Sequence, residues 1–298
     1  MSVMRSQGFA AVLFAATGFF ALEDARGEEA AATEPAPPQL SYQSGDIVLP
    51  SKVATLHLNA DSRYLDPEQT KKLLVAWGNP PEAAEGTQGA IVPTAVDPFG
   101  DKGWAVVLSY ADDGHVDDSD AREIKYDELL KDMQKDTRDS NSDRVKAGYQ
   151  AVNLLGWASA PEYDSSAHKL VWAKELSFGD EPNHTLNYDV RVLGREGVLS
   201  MNAVAGMSQL LDIQRDMKSL MHVAEFNPGH RYDEFNSSTD RTAAYGIGAL
   251  VAGGVAAKMG LFAKLLALIV AFKKVLIAAV VGLGALVTKL FKRQAKEA

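Results

Sequence analysis

The sequence predicts an α+β protein: an antiparallel sheet with flanking helices, followed by hydrophobic C-terminal helices that form a membrane anchor. Three observations lead there. Four β-prone runs follow one another between residues 150 and 205, divided only by short turn segments, which is the mark of an antiparallel meander. Helical patterns stand in separate groups before and after these runs, without the strict alternation of a parallel α/β fold. From Ala243 to Thr288 there is no acidic residue, and apolar blocks dominate.

The first helix is punctuated at both ends. In DPEQTKKLLVAWGNPP, Asp66 is the N-cap and Pro67 occupies the first position. Gln69 is placed to close a capping box, Gly78 ends the helix, and Pro80–Pro81 forbid its return. VATLHLNA before it and GWAVVLSY after it read as strands. Asp120 and Glu123 predict a second capping box, opening a helix with Tyr126, Leu129, Leu130 and Met133 at helical spacing. The meander follows as YQAVNLLGWASAPEYD, HKLVWAKELSF, HTLNYDVRVLG and GVLSMNAVA, with turns at Pro161–Asp164, Gly179–Asn183 and Gly194–Gly197. Leu170 and Trp172 share a strand face. Leu186, Tyr188, Val190 and Val192 share another, with Asn187, Asp189 and Arg191 opposite, so one side is expected packed and one wet. A helix over about 208–224 carries Leu210, Ile213, Met217, Leu220 and Met221 on one side.

The two ends define a topology. Arg5, an apolar run over 8–22, and small residues Ala25 and Gly27 read as a signal peptide over 1–27; an uncleaved N-terminal anchor is the alternative. A disordered linker is expected over 28–44, an extracytoplasmic domain over 45–242, the anchor over 243–290 and a basic tail over 291–298. No block at the C-terminus reaches the roughly 18 uninterrupted apolar residues of an unambiguous span. An in-plane amphipathic helix fits poorly, because Lys258, Lys264, Lys273 and Lys274 scatter round the helical wheel. One span over 265–288 would bury Lys273 and Lys274 near mid-bilayer, at about 2.5–3.5 kcal/mol each. The preferred reading is a span near 243–263, with 275–288 left open as a second short inserted helix. Lys289, Lys292 and Arg293 put the C-terminus in the cytoplasm and the domain outside the inner membrane. Small residues four apart (Ala249, Gly253, Ala257; Ala252, Ala256, Gly260) suit helix pairing, and so a homo-oligomer.

A net charge of −9 argues against a nucleic-acid partner, and the absence of cysteine excludes thiolate metal sites and thiol nucleophiles. Asp112, Asp113, Asp117, Asp118 and Asp120 are a weak calcium candidate, since oxygen-rich loops bind hard cations, but the D-x-[DN]-x-[DN]-G spacing is missing. His184, Asn187 and Tyr188 form a polar group at a strand start and are candidate binding residues. Arg231, Tyr232 and Asp233, in GHRYDEFNSSTDR just before the anchor, are candidates to meet headgroups, a partner or the protein's own domain. No cofactor motif is present.

The stretches YADDGHVDDSDA, LLGWASAPEYD, HKLVWAKEL, TLNYDVRVLGREGVLSMN, FNPGHRYDEFNSSTDRTAAYG and LVAGGVAAK resemble the bacterial family called domain of unknown function 2167, over roughly 45–270. The resemblance implies a membrane-associated protein with an extracytoplasmic domain, and no activity. The expected function is a binding or structural envelope module that acts through membrane lipids and a protein partner. The alternative is a membrane-anchored hydrolase or transferase using carboxylates and a histidine such as His184.

Overall fold

The computed structural model of the chain describes residues 37–146 and 148–253. Helix α1 (Pro67–Ala76) forms where its sequence says it must. The Asp66 carboxylate accepts the Gln69 N–H, and Gly78, at φ +81°, turns the chain away. The Gln69 side chain does not close a capping box. Its oxygen accepts the Ser41 N–H instead, at 3.2 Å. Leu40 and Tyr42 pack beside α1, and Gln43 bridges to Tyr64. The last residues of the expected linker are thus docked on the domain.

Two antiparallel sheets organise the rest. The smaller holds β1 (Asp46–Val48), β2 (Ala54–His57) and β10 (Ala224–Phe226) in the order β1-β2-β10. The larger has seven strands: β3 (Ser62–Leu65), β4 (Thr87–Pro93), β5 (Val106–Ala111), β6 (Val152–Asp164), β7 (Lys169–Phe178), β8 (Thr185–Leu193) and β9 (Val198–Gly206). Their order is β3-β4-β5-β9-β8-β7-β6, so the expected meander forms one flank. Strands β3 and β4 are additions to the sequence reading, because their short SRYL and TQGAIVP runs carry little alternation.

Because side chains alternate across a strand, each row of paired residues belongs to one face. Tyr64, Ile91, Val106, Ala203, Tyr188 and Ala173 form one such row. That face packs against the small sheet and α3 (Leu210–Leu220), which buries Ile213, Met217 and Leu220. Each such side chain contributes roughly 1.5–3 kcal/mol by leaving water. Leu65, Ala90, Val107, Asn202, Asp189 and Trp172 form a row on the opposite face. α1 covers it towards β3 and β4. Towards β6 and β7 it is covered by α2 (Tyr126–Lys146) and α4 (Ile247–Ala252).

Four expectations are corrected. The second sheet face is not wet: Asp189 is 2% exposed and Asn187 9%. Pro161–Asp164 is not a turn, since β6 runs through it; an edge strand tolerates a proline that cannot donate. The helix expected from Asp120 starts at Tyr126. Asp120 instead accepts the N–H of Ile247, at 3.3 Å, so it caps α4 rather than its own segment. Finally, the membrane region expected from Ala243 begins inside the domain: Ile247 and Val251 of α4 are 0% exposed. Among the described residues no helix is long and apolar enough to cross a membrane. The expected signal peptide, and the anchor beyond Gly253, lie outside the described residues.

Candidate functional site

The segment after β10 does not hang between domain and anchor as a free linker. It folds back over the ends of β5, β8 and β9 as a strap. Arg231 bridges to Gly194 and Thr242 to His115. Arg195 grips Asp240 through Nε at 2.7 Å and Nη2 at 2.9 Å. That fork-to-carboxylate geometry holds the Asp240 carboxyl far below the usual range. Arg241 reaches Asp112 at 2.7 Å, and the Tyr245 hydroxyl donates to Asp113 at 2.8 Å. Gly114, at φ +101°, lets the strap lie close: a Cβ there would stand 2.8 Å from the Arg241 carbonyl oxygen.

Beneath the strap, aromatic rings stack. His115 lies on Phe235 at 3.9 Å between centroids and on Tyr232 at 4.2 Å, and Tyr232 lies on His168 at 4.0 Å. The Tyr232 hydroxyl donates to the Val116 carbonyl at 2.9 Å. Burial lowers the pKa of His115 below the ordinary histidine value. His168 occupies the left-handed region at φ 49°, where a non-glycine residue costs of order 1–3 kcal/mol. The ring stack and the Leu193 N–H, which donates to the His168 carbonyl at 2.9 Å, hold it there. Its ring bridges two acids, with Nδ1 3.4 Å from Asp118 and Nε2 3.3 Å from Asp233.

Tyr163, near the end of β6, completes the group by donating to Asp118 at 2.5 Å. Burial and then the Asp118 carboxylate push its phenol well up; burial and Asp118 do the same to Tyr232. Both stay protonated donors at ordinary pH. An open recess of about 440 Å³ adjoins Tyr163, lined also by Asp118, Ser119, Ala121, Arg122, Tyr126 and Ser165.

The sequence candidates are thereby separated. Tyr232 and Asp233 belong to this cluster, with Arg231 at its margin, where the Arg231 N–H donates to Glu234. His184 lies at the other end of β8 and meets Glu175 at 2.6 Å. Tyr188 points into the core shared with the small sheet and α3, and Asn187 lies on the opposite face, 3.4 Å from Asn202. The five acids of the calcium candidate face different partners: Asp112 an arginine, Asp113 and Asp118 tyrosines, Asp117 the Ser119 N–H and Asp120 the α4 N-terminus. Among the described residues no three acid or histidine side chains gather as metal ligands. His115, Tyr163 and His168 went unselected in the sequence, because they come from separate segments without a shared motif.

A second polar group sits on the covered sheet face. Asp189 meets Arg191 at 3.0 Å, Lys174 at 3.4 Å and the Asn202 amide at 2.9 Å, while Arg191 lies over the Trp172 ring at 4.9 Å. Burial alone would raise the Asp189 pKa; the two cations and the amide hold it below the usual range.

An α+β domain closed by its own C-terminal strap is thus the setting of the cluster. The model of the family described as protein of unknown function DUF2167 matches residues 41–284, and the chain belongs to that family. A comparison with curated proteins finds no match. Among solved structures, the cyanobacterial PsbP protein CyanoP of Synechocystis sp. PCC 6803 is similar over 66% of this chain and 99% of its own, at 8% identity and a TM-score of 0.35. The Ran-binding protein Mog1p of Saccharomyces cerevisiae is similar over 66% of this chain and 100% of its own, at 9% identity and a TM-score of 0.34. At these scores neither likeness bears on the fold or activity of this chain.

Proposed function

We propose that the protein is a membrane-anchored envelope module that works by binding a protein partner with its extracytoplasmic α+β domain. The strap is the observation that carries this reading. Two arginine–aspartate pairs, the Tyr232 stack and the buried face of α4 fix the chain to the domain just before the apolar C-terminal region. A module that only needed a tether would not require such a clamp; one that presents a surface in a set pose would. The apolar residues 254–288 and the basic residues 289, 292 and 293 supply the anchor and its orientation. The test is topology. Added protease should cut a tag placed after residue 45 in spheroplasts and spare a C-terminal tag. The reverse pattern would end the reading.

A second reading is a hydrolase or transferase at the ring cluster, where Asp118 borders the recess. His168 between Asp118 and Asp233 is its support. Asp118→Asn should then abolish turnover of whatever substrate is found while leaving partner binding intact.

A further inference from the structure

Strand β6 ends the seven-stranded sheet, so among the described residues one side of its backbone has no strand neighbour. Along its first residues, α2 stands in for one. The Asn141 amide donates to the Val152 carbonyl at 2.9 Å, and its oxygen accepts the Val152 N–H at 2.8 Å. Two such bonds to one residue are what an antiparallel neighbour makes. Gln134 donates to the Leu155 carbonyl at 3.0 Å, and Arg144 to the Gln150 carbonyl at 3.2 Å. The far half of β6 is protected differently. A first register shift, between Leu154 and Gly156, bounds the stretch that α2 covers; further shifts between Trp157 and Ser159 and between Ser159 and Glu162 follow, and Pro161 withholds a donor. Bulges and proline block an edge permanently. Helix side chains can leave.

Two further observations say what would take their place. α2 buries no residue fully, and its apolar contacts come from Tyr126, Leu129, Leu130 and Met133 in its first half. Beyond Thr137, Asn141 and Arg144 hold it to the edge. Residues 148–161 contain no charged side chain in a chain of net charge −9. Val145, Tyr149 and Leu155 are exposed at the same margin, at 57%, 49% and 42%. An uncharged edge pairs readily with its own copy, because antiparallel self-pairing needs no complementary sequence and meets no like charge.

We propose that the edge formed by residues 150–155, at the start of β6 and just before it, is a self-association surface gated by the second half of α2. When that half lifts, β6 of a second copy takes the backbone groups that Asn141 and Arg144 hold. The two β6 strands pair antiparallel, and the sheet continues across both chains. This interface differs in place and chemistry from the helix pairing expected of the small residues at 249–260.

The chain has no cysteine, so one introduced cysteine reports self-pairing without ambiguity. A residue near the two-fold axis of an antiparallel pair meets its own copy at about 4.5–5.5 Å between Cα atoms, within disulfide reach. The full chain would carry Asn153→Cys or Leu155→Cys, each with and without Asn141→Ala, under mild oxidation. Leu211→Cys, exposed on α3, serves as the collision control. Asn141→Ala should raise the cross-linked dimer about tenfold at 153 or 155 and leave the control unchanged. Adding Leu155→Lys to the Asn153→Cys chain should return it to baseline. If Asn141→Ala fails to fold, Arg144→Ala provides the same comparison by removing an exposed hydrogen bond of the same half. Yields at 153 and 155 no higher than at the control, or a dimer indifferent to Leu155→Lys, would overturn the proposal.

Discussion

His115 is buried among Tyr232, Phe235 and the main chain of Gly194 and Arg195, with Asp117 and Asp118 near enough to act on its charge. Burial wins over the two carboxylates and lowers its pKa. The unfolded chain therefore takes a proton first, near the ordinary value of about 6.5, and stability falls as pH drops from there towards the folded value. His115→Phe keeps the stack and removes the proton. Its unfolding midpoint should vary less between about pH 5 and 7 than that of the unaltered chain; an identical pH slope would show that His115 is not the sensor. Asp189 makes the opposite kind of residue-scale prediction, since its role is to be charged. Asp189→Ala leaves Lys174 and Arg191 mostly buried without their shared acid. Denaturant titration should show a loss of about 3–5 kcal/mol. The sequence alternation at 186–192 located both faces of β8 correctly, but it could not tell that the polar face would be roofed. What covers Asp189 comes from distant segments.

At the scale of elements, local signals and distant ones part company. α1 was readable because its cap, first-turn proline and terminal glycine are neighbours in sequence. Asp66→Ala should cost about 1 kcal/mol, measurable as a lower unfolding midpoint. Asp120 was misread for the same reason in reverse: a sequence-local capping box was available to it, and a helix more than a hundred residues away took its carboxylate instead. Asp120→Ala should therefore leave the start of α2 unchanged and speed amide exchange at Ile247. Faster exchange at Tyr126–Leu129 alone would restore the local assignment. α4 was taken for the start of a membrane span because a short buried core helix and a membrane helix share their composition. Only its packing on Leu170, Trp172, Leu193 and Val198 separates the two.

For the whole molecule, the strap joins the candidate site to the route by which the chain leaves the domain. The same segment carries Tyr232 and Asp233 into the cluster and delivers α4 to the core. Gly114→Ala places a methyl against the Arg241 carbonyl and should loosen the strap without touching the sheet core. Limited proteolysis would then cut within 228–245 before anywhere else. Unaltered cleavage would mean that the strap is held elsewhere. GHRYDEFNSSTDR was visible in the sequence as a polar, charged segment, and docking on its own domain was among its open readings. Its partners were not visible, because Arg195, Asp112, His115 and His168 share no spacing with it. The proposed function requires that this strapped domain be anchored through the apolar residues beyond Gly253. Membrane fractionation of the full-length chain tests that most directly. The protein is expected to sediment with membranes, to resist alkaline and high-salt washes and to be released by detergent; a chain that stays in the supernatant without detergent would contradict the anchor.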